Sequence, residues 1–97
     1  MRNHASTPLT VAARVLGSHP AALRKTINQF QIVKRDGRQR VIPNDILALF
    51  RRTKAISGYL YPHWIRTRDE LLAAAAQIPA SEITDLARVC SLEGRRQ

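Results

Sequence analysis

The sequence predicts a mainly α-helical protein with one small β-hairpin, and three observations predict it. Apolar residues recur at helical spacing in five short stretches, enough for one buried stripe on each. Ser, Thr, Asn or Asp stands before those stretches and Gly or Pro interrupts them, as helix starts and stops require. A single Asp-Gly pair, Asp36-Gly37, separates two runs of β-prone residues. With 97 residues and 44% hydrophobic content, the chain suits one small domain, or a very small domain with a helical appendage. A large enzyme core does not fit in that length.

Ser6-Thr7-Pro8 opens the first helix, with Ser6 or Thr7 as its cap and Pro8 at the first helical position, where a missing N–H breaks no bond. Ala12, Val15 and Leu16 supply a buried stripe, and Gly17 ends the helix. Ser18 caps the next helix almost at once, so the two cross steeply as a helix-turn-helix. Leu23, Ile27 and Phe30 form the buried edge of this second helix, while Ala21, Arg24, Lys25 and Asn28 point the other way. Free N–H groups at its start can hold a phosphate. An ordinary amphipathic helix with a solvated basic face would show the same pattern.

Beyond Phe30 the period changes. Gln31 to Arg35 and Arg38 to Ile42 flank Asp36-Gly37 as the arms of a hairpin closed by a type I′ turn, in which both central residues need positive φ. Lys34, Arg35, Arg38 and Arg40 surround the turn. At roughly 3.3 Å per residue, arms of this length extend on the order of 15 Å, far enough to reach a neighbouring groove or backbone. A basic hairpin directly after such a helix reads as the wing of a winged helix-turn-helix, and otherwise as a solvated charged hairpin. Pro43 ends it. Asn44 or Asp45 then caps a third helix with Ile46, Leu49 and Phe50 inward, and Arg51, Arg52 and Lys54 complement its dipole at the far end.

In this order the signals resemble the MerR-like winged helix-turn-helix of excisionases and small prophage regulators. The resemblance spans Thr7 to about Arg52 and rests on Ala12-Ala13, Leu16-Gly17, Leu23-Arg24-Lys25, Asp36-Gly37-Arg38 and Val41-Ile42-Pro43-Asn44-Asp45-Ile46-Leu47. Two positions depart from the pattern: Val11 stands where the family usually has Glu, and Phe30 where a Gly usually ends the recognition helix. The resemblance implies an excisionase, or recombination directionality factor. Such a protein binds adjacent sites at an attachment region, bends the DNA and biases an integrase toward excision, without covalent chemistry. A transcriptional regulator of a prophage or integrative element would use the same fold. So would a DNA-recruited adaptor or packaging subunit whose C-terminal part holds a protein.

From Ala55 the character of the chain changes. Tyr59, Tyr61, Pro62 and Trp64 make an aromatic junction over 55–66. Thr67-Arg68-Asp69-Glu70 is a capping-box pattern opening an Ala-rich helix to Gln77, and Ile78-Pro79-Ala80 breaks it. Ser81 caps a last helix in which Ile83, Leu86, Ala87 and Cys90 share a face, with Gly94 past its end and Arg95-Arg96 in a basic tail. The expected organisation is a flexible N-terminus (1–6), a winged helix-turn-helix (7–54), the junction, a C-terminal αα-hairpin (67–93) and the tail (94–97). The Ile83, Leu86, Ala87 and Cys90 face is a candidate for self-association between copies on DNA. Leu71, Leu72, Ala75 and Ile78 could instead cover it within one chain.

Charge separates the halves further. Residues 1–54 hold eleven Lys or Arg against Asp36 and Asp45, a net of +9, whereas residues 55–97 hold five Arg against five acids and are neutral. An excess confined to one half marks the part that meets a polyanion. Duplex DNA is the expected partner, because a helix presented from a helix-turn-helix matches the major groove and the sequence offers no evident stacking platform of exposed aromatics. Arg24, Lys25 and Asn28, with Ala21 beside them, are the candidates for base edges. Ser18, His19, Lys34, Arg35, Arg38 and Arg40 are the candidates for backbone or minor groove. His4, His19, His63 and Cys90 lack the paired spacings of a zinc site, and no activated nucleophile can be assembled, so neither metal, cofactor nor catalysis is expected. No apolar run approaches the roughly 20 residues of a membrane span. The lone cysteine agrees with a reducing compartment, so a soluble, cytoplasmic protein is expected.

Overall fold

Pro8 and Pro43 each stand immediately before a helix, and the strands that carry them pair with one another. In the computed structural model, which describes residues 6–94, strand β1 (Ser6–Pro8) lies antiparallel to β3 (Gln39–Pro43), with Thr7 opposite Ile42. On its other edge β3 pairs with β2 (Lys34–Asp36), giving a three-stranded antiparallel sheet of order β1-β3-β2. The first strand corrects the expected Ser6 or Thr7 helix cap. Thr7 turns its hydroxyl inward and donates to Asn44 Oδ1 at 2.6 Å, a buried bond that its own helix would otherwise have taken. Helix α1 (Leu9–Leu16) therefore starts at Leu9 behind Pro8, whose missing N–H is harmless in an edge strand.

Helix α1 buries Leu9, Val11, Ala12, Ala13 and Leu16; Val15 is only partly covered. Gly17, at φ 66°, closes it by giving its N–H to Arg14 O while Ser18 N–H reaches Ala13 O. Helix α2 (Pro20–Gln29) ends in the same way. Gln31 N–H bonds Asn28 O, Ile32 N–H bonds Ile27 O, and Gln31 takes the left-handed conformation at φ 57°. The glycine-like position thus exists one residue after Phe30, held by a glutamine, and Phe30 itself is buried beside Leu23 and Ile27.

The N-cap of α2 is His19, not Ser18. Its Nδ1 accepts from Ala21 N–H at 3.1 Å, because the Ser18 hydroxyl is engaged by Lys54 Nζ at 2.7 Å. Register also moves the hairpin turn by one residue. Asp36 pairs with Gln39, so the two-residue loop is Gly37-Arg38 with positive φ at Gly37 alone, the signature of a type II′ turn and not of type I′.

Helix α3 (Asn44–Ser57) runs one turn beyond its expected basic end and stops at Gly58, φ 84°. Neither Asn44 nor Asp45 is its N-cap; Pro43 precedes it, Asn44 faces Thr7, and Asp45 Oδ1 accepts from Ile46 N–H at 2.8 Å. Helix α4 (Arg68–Ala76) opens with the expected capping box, Thr67 Oγ1 accepting from Glu70 N–H at 3.1 Å and Glu70 Oε1 from Thr67 N–H at 3.0 Å. Helix α5 (Ala80–Gly94) starts before Ser81 and includes Gly94.

The αα-hairpin is not a unit closed on itself. Helix α4 packs on α3, and α5 packs on both α1 and α3, so each spends its apolar stripe on the first half of the chain. One hydrophobic cluster runs from Leu9 through Leu23, Ile42, Leu47 and Phe50 to Leu71, Leu86 and Cys90. Leu86 is 0% exposed and Cys90 7%, with Ile83 and Ala87 half-buried beside them. This corrects the face offered for self-association: the chain's own core already occupies it. The flexible N-terminus and basic tail, with His4 and Arg95-Arg96, lie outside the described residues except for Ser6 and Gly94. No helix among the described residues is long and apolar enough to cross a membrane.

Candidate nucleic-acid interface

Burial of Leu23 and Ile27 fixes the roll of α2 and leaves Ala21, Arg24, Lys25 and Asn28 exposed along its opposite side. Arg24 and Asn28 are one turn apart and face the hairpin. Together with Lys34 of β2 and Arg40 of β3 they rim a shallow cleft floored by Leu9, Ile27, Val33 and Val41. The helix thus brings one cation and one amide, and the hairpin that follows it two cations, to a single edge of the molecule. Lys34, Arg35, Arg38 and Arg40 are all exposed, and among the described residues none of these four, nor Arg24 or Lys25, is held in an ion pair.

The sheet register adds a second electrostatic feature. Arg35 stands directly opposite Arg40. Like charges at opposed positions destabilise an isolated hairpin, and an anion between or beside them removes that cost. A surface of unpaired cations with an opposed Arg pair is suited to phosphate oxygens. Compared with family models, with curated proteins and with solved structures, the chain found no match.

At the start of α2 the arrangement differs from expectation. Ala21 N–H is used by His19 Nδ1, Ala22 and Leu23 N–H by His19 O, and Pro20 has none, so residues 20–23 offer no free backbone donor for a phosphate. Side chains do. With Nδ1 accepting, neutral His19 carries its proton on Nε2, an outward donor. Lys54, 36 residues away in sequence, reaches Ser18 Oγ at 2.7 Å and Gly17 O at 3.3 Å. In sequence Lys54 reads as a dipole charge at the end of α3, and no local signal marks it as a neighbour of Ser18. Arg52 is instead committed to Glu82 at 2.6 Å.

His19, His63 and Cys90 are dispersed, and no group of three His, Cys, Asp or Glu among the described residues could hold a metal ion. Burial pushes the Cys90 thiol up from its ordinary value, which keeps it protonated and unreactive. One expectation about the surface is overturned. Tyr59 and Trp64 are 73% and 54% exposed, so the chain does display aromatics to solvent, on a different side from Arg24 and Asn28.

Proposed function

We infer that this chain is a sequence-specific duplex DNA-binding protein of winged helix-turn-helix architecture, with α2 as the recognition helix and β2–β3 as the wing. The observation that carries the reading is the convergence of Arg24 and Asn28 on α2 with Lys34 and Arg40 on the hairpin, the three cations without an ion pair among the described residues. Arg matches the acceptor pair of guanine and Asn the donor-acceptor pair of adenine, so α2 in the roughly 12 Å wide major groove has side chains that can discriminate bases. The hairpin cations then meet the flanking backbone or minor groove and fix register without reading sequence. Lys54, Ser18 and His19 supply donors to the phosphates at the other end of α2.

Within that reading, the biological role is that of an excisionase, which binds and bends attachment-site DNA to bias an integrase toward excision. The order of motifs from Thr7 to Arg52 supports it. The protein's part is architectural: position and curvature of DNA, with no bond made or broken. Footprinting on DNA flanking the protein's own gene tests the role. Protection of several direct repeats beside an integrase attachment site is the expected result; one palindrome at a promoter would replace the role by transcriptional regulation, and absence of any protected site would remove the DNA reading.

A further inference from the structure

Val33 breaks the burial pattern of the segment that joins α2 to the hairpin. Between Pro20 and Pro43 every other branched or aromatic apolar side chain is at most 6% exposed, whereas Val33 is 51% exposed. Its backbone is fixed on both sides. Gln31 N–H bonds Asn28 O and Ile32 N–H bonds Ile27 O, each at 3.0 Å, so the chain leaves α2 along one path. Ile32 is then buried in the core, and Lys34 enters the sheet opposite Val41. Held between those two anchors, Val33 lines the cleft that Arg24, Asn28, Lys34 and Arg40 rim. Apolar side chains scattered singly over a surface are ordinary. This one stands inside the surface on which the cations converge, where an isopropyl group serves no phosphate.

We propose, resting on the duplex reading of α2, that Val33 is a specificity-determining residue: it contacts the 5-methyl group of a thymine beside the adenine that Asn28 reads. The thymine methyl is the one methyl group that the major-groove edges of the bases carry. On an A·T pair it lies along the same edge as adenine N7 and N6. A carboxamide and a small branched alkyl group side by side, as Asn28 and Val33 stand in this cleft, therefore match that pair in two chemistries at once. A G·C pair offers neither the donor-acceptor pair of adenine nor the methyl. Phosphate oxygens along the same edge are served by the cations and gain nothing from an alkyl group. Branching at Cβ also leaves Val33 little rotamer freedom to lose, so the contact costs little entropy. Deoxyribose C–H groups would meet Val33 equally well in every sequence, and the difference is measurable.

Replacing thymine by uracil removes that methyl and leaves the hydrogen-bonding edge intact. A preferred duplex is selected from a randomised library with the full chain, each of its thymines is replaced singly by uracil, and affinity is measured by fluorescence anisotropy. One thymine per bound copy is expected to respond, within one base pair of the position at which Asn28→Ala relaxes preference. There uracil weakens binding about fourfold, the worth of one methyl-sized group taken out of water. Val33→Ser, at a half-exposed position outside the strand pairing, is expected to bind the thymine and uracil duplexes equally, and Val33→Ile to keep the preference for thymine. A selected site at which no uracil weakens binding, a loss that persists unchanged in Val33→Ser, or a Val33→Ser chain that weakens every duplex by one common factor would overturn the proposal and leave α2 a reader of DNA. Failure to select any duplex would overturn the duplex reading itself, and the proposal with it.

Discussion

Lys54 Nζ lies 2.7 Å from Ser18 Oγ and 3.3 Å from Gly17 O, and so ties the last turns of α3 to the turn between α1 and α2. The ammonium sits at the carbonyl end of α1, where the helix dipole favours it. Replacing it by Met keeps the stem and removes both bonds. Lys54→Met is expected to lower stability by about 1 kcal/mol in urea denaturation, and to reduce specific DNA binding more than non-specific binding, because the attitude of α2 loosens. Equal loss on both kinds of DNA would make Lys54 a phosphate contact and no more.

Binding to DNA is expected to depend steeply on salt. If about six phosphates are neutralised by the cations of α2, the hairpin and Lys54, affinity falls roughly a thousandfold between 50 and 200 mM salt, at a slope near 0.9 per phosphate. Fluorescence anisotropy across that range checks it, and a flat response would remove the electrostatic argument.

Arg24→Ala and Asn28→Ala are each expected to relax sequence preference at a cost of about 1 to 3 kcal/mol, the worth of a bidentate base contact. Arg38→Ala, at the tip of the hairpin, is expected to weaken specific and random duplexes alike and to make the salt slope shallower by about one. Competition binding against a randomised site library separates the two behaviours. A change of sequence choice in Arg38→Ala alone would turn the hairpin into a reader.

The common core makes the two halves interdependent. Leu86 is fully buried against the first half, so Leu86→Ala is expected to cost about 2 to 5 kcal/mol. A chain ending at Lys54 loses Leu71, Ala75, Ile78, Leu86 and Cys90 from the cluster and is expected to be unfolded by circular dichroism. A cooperative thermal transition in that shorter chain would show that residues 7–54 suffice.

Glu70 provides a pH test. Backbone N–H groups of Arg66 and Thr67 donate to its Oε1 at 2.8 and 3.0 Å and hold its carboxyl below the ordinary value, overcoming the small opposing effect of burial. The ionised form is therefore favoured more in the folded chain than in the unfolded one. Its contribution is complete above the ordinary carboxyl value of about 4.5 and is lost as pH falls through the lower folded value. The urea midpoint of the native sequence is expected to drop more between pH 7 and pH 3 than that of Glu70→Gln. Parallel pH dependences would exclude the capping box as the cause.

Local chemistry determined by itself the parts of this protein that depend on neighbours in sequence. Leu23, Ile27 and Phe30 form the buried stripe of α2, Gly17 closes α1, Thr67 and Glu70 make their capping box, and the cations flank a Gly-tipped hairpin, because each is settled within a few residues. The tertiary structure decided what several residues do when a distant partner competes. Thr7 left its cap for Asn44, Ser18 left its cap for Lys54, and the face of Leu86 and Cys90 was spent on α1 and α3. In each case a hydrogen bond or an apolar stripe found a partner across the fold, and no spacing along the chain encodes that distance. The outward aromatics follow the same logic. In sequence Tyr59 and Trp64 are members of an aromatic junction whose facing is open, and the anchoring of Tyr61 and Ile65 behind them decides that they face solvent.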